Sequence, residues 1–326
     1  MPMVNFICPD GESIRIESCL EKCRMTGRCV TLPTLMLMAK RRLWKGKIST
    51  TQAIKGTRLA YLEIMEDYGE KPVDRAFALL GTFHHLKMQN VQVPETLTEE
   101  WMEDELGTGM FDTYDASTKT LYDYKTAGSY KVNRALGKKK VTVDVPTGEV
   151  YKSGKREGEP KTKKESTWSM GTPDRFEWEM QLSRYAYMLE DAGFPVNEIV
   201  VQVTVRDFTR MTGKMYGLDR QIYLIRMDKL PKDFVEAYYA KKSKDLLFFL
   251  DKEIQPPPCS PSERWLDEGA YDNNTVNTLP GTRCSGFCPV WTFCDLGIRG
   301  HQEVANDERE PKGAVPDTGG DASGQV

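Results

Sequence analysis

The chain has 326 residues, a formal net charge of −3, and 39% apolar against 29% charged residues. That is enough to bury a sizeable core, and it excludes a fibrous or wholly disordered chain. No run of about 18 apolar residues is present, so no membrane span is expected, and the start, MPMVNFICPDGESIRIE, lacks a basic stretch leading into an apolar one, so a cytoplasmic location is expected.

Residues 1–32 read as a cysteine-rich module. PTLMLMAKRRLW (33–44) has an apolar stripe with Pro33 in its first turn, which predicts a helix. TQAIKGTRLAYLEIMED (51–67) and VDRAFALLGTFHHLKMQN (73–90) predict two more. The pattern then changes period. GTGMFDTYD (107–115) and TLYDYKTA (120–127) flank the polar turn ASTK and predict a β-hairpin. Residues 128–171 are rich in Lys, Gly, Ser and Glu. A strand is expected at KKVTVDVP (139–146), and the rest as an exposed, mobile insertion. DRFEWEMQLSRYAYMLEDA (174–192) predicts an amphipathic helix ending at Gly193. EIVVQVTVRDF (198–208) and QIYLIRMD (221–228) predict strands, and residues 232–253 a long helix stopped by PPP (256–258). The expected organisation is a core over 33–255, a second cysteine module over 256–300 and a disordered acidic tail over 301–326. An α/β (α+β) fold follows, with a mixed central sheet flanked by helices.

The chemistry starts at Asp123 and Lys125, which share one face of a strand because side chains alternate. A lone Asp-x-Lys is an ordinary surface pair. Asp112 lies across the short turn, and two carboxylates held close repel unless a cation sits between them. Oxygen ligands of this kind suit Mg²⁺ or Mn²⁺. His85 follows Gly81 at i+4, and Gln181 and Tyr185 have the same spacing, so each pair shares a helix face. In Gly81 the missing side chain is expected to leave room for close approach. The plainer reading of both pairs is helix packing.

The order of these signals is more specific than any one of them: GTFHH (81–85), GMFD (109–112), DYKTA (123–127) and QLSRY (181–185). The series resembles the RecB-type branch of the PD-(D/E)XK nucleases, which includes the CRISPR-associated exonucleases. The resemblance covers roughly residues 75–210. It implies a restriction-endonuclease-like core and a metal-dependent DNA nuclease, with exonuclease as the expected mode and endonuclease as an alternative. It also implies metal held by His85, Asp112, Asp123 and the carbonyl of Tyr124, catalysis by Lys125, and support from Gln181 and Tyr185. The partners expected are single-stranded DNA or duplex ends, and a separate helicase or recombinase, since no Gly-x4-Gly-Lys-Ser/Thr loop is present. Recombination, repair or phage DNA processing is the expected setting. A non-catalytic DNA-binding scaffold is the competing reading.

Eight cysteines form two groups, Cys8, Cys19, Cys23 and Cys29, then Cys259, Cys284, Cys288 and Cys294, and none lies between them. Clustered thiols in a reducing compartment read as metal ligands. The first group suits a structural Zn²⁺. The C-terminal triplet resembles the one that holds a 4Fe–4S cluster in RecB-type nucleases, and Zn²⁺ stays open there because both accept four thiolates. Cys259 is favoured as its fourth ligand over Cys29. Residues 131–165 carry eleven Lys/Arg against five Asp/Glu, a candidate DNA contact or a solvated loop. Trp168 and Trp178 are candidates for stacking on bases, with core packing the stronger expectation for Trp178.

Overall fold

A computed structural model describes residues 3–40, 44–88, 90–91, 93–266, 269, 271–272 and 274–307. In chain order the elements are β1 (Asn5–Ile7), β2 (Ser13–Arg15), α1 (Ile16–Glu21), α2 (Leu32–Met38), α3 (Thr50–Ile54), α4 (Thr57–Met65), β3 (Gly69–Glu70) and α5 (Ala76–Met88). Then come β4 (Thr96–Thr98), β5 (Trp101–Asp104), β6 (Gly107–Met110), β7 (Thr113–Asp115), β8 (Thr120–Ala127), α6 (Ser129–Ala135), β9 (Lys138–Val150) and β10 (Pro160–Met170). The remainder are α7 (Phe176–Asp191), β11 (Glu198–Val205), α8 (Arg210–Tyr216), β12 (Ile222–Met227), α9 (Lys232–Lys252), α10 (Thr282–Gly286) and α11 (Asp295–Asp307). The architecture is mixed α/β, with several sheets and flanking helices. No helix among the described residues is long and apolar enough to cross a membrane.

The chain divides into two compact units, which cut across the expected boundaries. One takes residues 1–46, 55–74 and 244–326, and so contains both cysteine groups. The other takes residues 47–54 and 75–243.

The second unit is built on a five-stranded sheet in the order β12-β11-β8-β7-β4. Only β8 and β11 pair in parallel, and the other neighbours are antiparallel. Their inward residues, Leu121, Ile199, Val201, Val203 and Val205, are fully or almost fully buried. Most are β-branched, the type that packs well on a pleated surface. Helix α7 lays Trp178, Leu182, Tyr185 and Leu189 into the same core. That is the i, i+3/i+4 stripe of an amphipathic helix. It ends as expected at Gly193, whose φ of +91° is the left-handed conformation that glycine adopts freely. Trp178 is a core residue, 8% exposed.

Several expected elements take a different form. The helix expected over 51–67 is two, α3 and α4, broken at Lys55-Gly56. Gly56 is the extended residue before α4, and a Cβ there would lie 2.3 Å from the Cys259 sulfur. Helix α2 stops at Met38, and residues 41–43 lie outside the described residues. The strand expected over 107–115 is split: β6 pairs with β5, while β7 pairs with β4 and β8. The insertion is not structureless. It folds as helix α6 and a two-stranded antiparallel ribbon, β9 with β10. No apolar face announced the ribbon, because nearly all of it is exposed and interstrand hydrogen bonds define it. The tail expected from 301 begins as helix, since α11 runs to Asp307, and 308–326 lie outside the described residues.

Candidate active site

Strand β8 places Asp123 and Lys125 on one face, as alternation requires. The Lys125 ammonium lies 2.8 Å from Asp123 Oδ2 and donates to Asp123 Oδ1 at 3.1 Å and to Gln181 Oε1 at 3.1 Å. Gln181 Nε2 in turn donates to Tyr185 Oη at 3.3 Å. The i, i+4 pair of α7 is therefore joined to the Asp-x-Lys pair of β8 by one line of hydrogen bonds. Asp123, Gln181 and Tyr185 are all buried. Burial pushes the Asp123 carboxyl above its usual range, and the nearby Asp112 charge adds to that, against the pull of Lys125. Burial also works to strip the Lys125 proton, but Asp123 prevails and holds it above its ordinary value. Tyr185 is pushed up to about 12, chiefly by burial, so it keeps its proton.

Asp112 sits in the break between β6 and β7. Its Oδ2 accepts the Tyr124 backbone N–H at 2.6 Å, which ties it to β8 midway between Asp123 and Lys125. Its Oδ1 lies 3.3 Å from His85 Nδ1. The same histidine nitrogen lies 3.2 Å from Glu99 Oε1. Among the described residues, one set of three or more metal-type ligand atoms lies within 4.8 Å of one another: His85, Glu99 and Asp112. The hydrogen bond that the protonated His85 ring donates to Asp112, with the charges of Asp112 and Glu99, raises the ring to about 9 despite burial. Burial and the Asp112 charge raise Glu99 in turn. A proton on His85 thus offsets the negative charge that a divalent cation would offset if bound. One nitrogen and two carboxylates form a donor set that fits Mn²⁺, or Mg²⁺ with water completing its shell.

Glu99 was not expected from the sequence. No spacing rule singles it out from Glu100 beside it. The register does, once known: β4 pairs with β7 through Thr98 and Thr113, so the next residue along, Glu99, falls opposite Asp112, and its N–H donates to the Asp112 carbonyl at 2.9 Å. Glu99 also has φ of +55°, a conformation that costs a non-glycine residue on the order of 1–2 kcal/mol. Of the expected ligands, His85 and Asp112 belong to the close trio with Glu99, while Asp123 faces Lys125. Tyr124 enters through its amide. His84 packs its ring on Tyr124 at 5.8 Å, and burial lowers its proton affinity.

The glycines of the motifs separate in role. A Cβ on Gly109 would come within 2.6 Å of the Tyr185 ring, so Tyr185 lies directly against bare backbone. A Cβ on Gly81 would meet only Thr126 Oγ1, at an ordinary 3.6 Å. The room expected at Gly81 is not used.

No family model and no curated protein matches the sequence. Among solved structures, the crystal structure of SSO0001 is similar to this chain at 13% identity and a TM-score of 0.33, covering 67% of this chain and 83% of that one. At that score the likeness carries no argument about fold or function.

In the other unit, Cys259, Cys284, Cys288 and Cys294 line one cavity together with Arg58, Leu59 and Leu62 of α4. Cys29 is not among the lining residues. Burial raises Cys259 to about 11 and Cys288 to about 12, with the neighbouring thiols adding to both. Cys259, Cys284 and Cys288, whose ionisation is opposed by burial and by neighbouring thiols, are held where a bound cation would stabilise them as thiolates. Arg58 donates to the Cys294 sulfur at 3.6 Å and to the Pro256 carbonyl at 2.7 Å.

Trp168, a candidate base-stacking residue, is otherwise engaged. Its indole donates to the Lys214 carbonyl at 3.2 Å, and its ring occupies the place where a Cβ of Gly217 would be. It anchors the ribbon to α8 rather than offering a free face.

Proposed function

We propose that this chain is a metal-dependent nuclease of the PD-(D/E)XK type acting on DNA, with a restriction-endonuclease-like core and exonuclease mode. One observation carries the reading: residues from α5, the β6–β7 break, β8 and α7 converge, so that His85–Glu99–Asp112 and Asp123–Lys125–Gln181–Tyr185 form adjoining clusters tied together at Tyr124. A binding scaffold would have no need to bury carboxylates against a lysine in this way, since burying charge is costly.

His85, Glu99 and Asp112 would hold the divalent cation, with Asp123 and the Tyr124 carbonyl as further ligands. The ion supplies Lewis acidity to the scissile phosphate and acidifies a coordinated water. Lys125 stays charged in a buried setting, where it offsets charge building on the phosphate oxygens and orients the attacking water. Asp123 and Gln181 fix the ammonium by two directed hydrogen bonds, and Tyr185 holds Gln181. A buried cation positioned in advance is worth far more than one in water. The C-terminal cysteines would hold a 4Fe–4S cluster or Zn²⁺ that secures their segment to α4.

The test is cleavage of end-labelled linear and closed-circular DNA with Mg²⁺, Mn²⁺ or chelator, beside Lys125→Ala. Metal-dependent loss of linear DNA is expected, with the variant slower by on the order of 10²–10³ yet still binding DNA. Full activity in Lys125→Ala would sink the assignment. Cleavage of circles would move the mode to endonuclease. DNA binding without any cleavage would favour the scaffold.

A further inference from the structure

The nuclease reading leaves the first cysteine group without a role. Cys8 lies just past β1, in a tight turn closed by the Cys8 N–H to the Glu12 carbonyl at 2.8 Å and the Gly11 N–H to the Cys8 carbonyl at 2.9 Å. Gly11, at φ +89°, permits that turn. Cys19 sits on the inner face of α1 with Ile16, and Cys8 and Cys19 are each only 8% exposed. Cys23 and Cys29 are carried by the irregular segment 22–31, in which no residue is buried. That segment has no apolar core of its own to hold it in place.

Polar clamps bring it back onto the other two cysteines. Arg28 donates to the carbonyls of Cys19 at 2.6 Å and Leu20 at 3.0 Å. Arg24 pairs with Asp10 and with Glu12, the latter at 2.7 Å. Cys23 donates its thiol hydrogen to the Gly27 carbonyl at 3.5 Å, closing the first turn of the segment. Segment 22–31, with Cys23 and Cys29, is thus held against the turn that carries Cys8 and the end of α1 that carries Cys19.

We infer that Cys8, Cys19, Cys23 and Cys29 form a structural tetrathiolate site for one Zn²⁺, separate from the C-terminal cavity and from the nuclease centre. Thiolates select a soft or borderline cation over Mg²⁺. Binding releases the thiol protons and leaves a complex of net charge −2, which Arg28 flanks, while Arg24 is already balanced by Asp10 and Glu12. Such outer partners commonly fix a metal site. Zn–S bonds of about 2.3 Å require the sulfurs to draw together. Cys29, exposed and on the segment without a core, is the ligand with freedom to move inward. Zinc would then fix segment 22–31, in which no residue is buried, to the buried residues of β1 and α1.

Metal content decides this without reference to DNA cleavage. Full-length protein from zinc-supplemented medium is compared with Cys29→Ala, Cys29→His and Cys288→Ala by elemental analysis for zinc and iron, with far-UV circular dichroism as the check on folding. Cys29→Ala should lose about one zinc per chain while keeping the metal that Cys288→Ala gives up, and Cys29→His should retain zinc as a Cys3His site. Cobalt loaded in place of zinc should show tetrahedral ligand-field bands that shift in Cys29→His. Equal zinc in wild type and Cys29→Ala, cobalt bands that Cys29→His leaves unmoved, or disulfides among these four cysteines on thiol titration would each overturn the site. If Cys29→Ala fails to fold, the cobalt spectrum of Cys29→His decides.

Discussion

Proton and metal compete for one nitrogen at His85. Asp112 and Glu99 hold its proton up to about 9, so at neutral pH the ring is mostly charged and must lose that proton to become a ligand. Metal affinity should therefore rise with pH, by close to tenfold per unit from 7 until it flattens near 9, as read by Mn²⁺ titration calorimetry in buffers of different ionisation heat. A flat profile would mean that His85 is not a ligand. Glu99→Gln removes one carboxylate and should weaken Mn²⁺ on the order of tenfold or more, while also lowering the His85 proton affinity and so shifting the rise to lower pH. Glu99 is the residue that the sequence does not single out. His85, Asp112, Asp123, Lys125, Gln181 and Tyr185 are legible there through the order of four short motifs and the family resemblance that this order carries. Glu99 reaches the site only through strand register, and register is a property of paired strands, not of one strand.

The elements carry their own tests. Strand β6 passes under the Tyr185 ring at Gly109, and a methyl there would lie 2.6 Å from ring carbon. Gly109→Ala should lower stability by about 1–3 kcal/mol through overpacking. Gly81→Ala, in contrast, meets ordinary van der Waals neighbours and removes a glycine from the interior of α5, so it should be neutral or stabilising by up to ~1 kcal/mol. Thermal melts of the two variants check the contrast, and a large drop for Gly81→Ala would contradict it. The β9–β10 ribbon is the other element with a testable role. Lys139, Lys140, Lys163 and Lys164 stand out in solvent along it, with Asp144 paired opposite Lys164 and Glu165 bridging Lys163 at 2.7 Å. If the ribbon binds phosphate, exchanging these four lysines for Gln should weaken DNA binding without changing the melt. The slope of log affinity against log salt should drop by roughly 0.7–0.9 for each lysine–phosphate pair removed. An unchanged slope would leave the ribbon a solvated hairpin. The strand expected at 139–146 lies within β9, but its partner β10 is not legible in the sequence, because it buries no apolar stripe.

At the scale of the whole molecule, one compact unit draws on both outer parts of the chain. Residues 1–46 and 244–326 belong to one compact unit, and the segment 55–74 that carries α4 joins them. Helix α4 was expected inside the nuclease core. It supplies Arg58, Leu59 and Leu62 to the C-terminal cysteine cavity instead. A metal bound there would link the last part of the chain to this helix, so Cys284→Ser should lower thermal stability by several kcal/mol and abolish the metal retained by wild type. A melt unchanged by that substitution, or by chelator, would show that the cavity is packed by apolar side chains alone.

Local matters were already settled in the order of residues. These are the helix carrying Gln181 and Tyr185, the strand carrying Asp123 and Lys125, the strands at 198–205 and 222–227, and the grouping of cysteines into two sets of four. All of them follow from side-chain periodicity and from chemistry repeated at short spacing, which one stretch of chain encodes alone. Folding in three dimensions decided the break at Gly56, where the backbone yields to a cysteine two hundred residues away, and the split of 107–115 between two sheets. It also decided the choice of Glu99 over Asp123 in the close ligand trio, and the gathering of both termini into one unit. Each depends on which distant groups occupy the same space, and no window of sequence contains both partners.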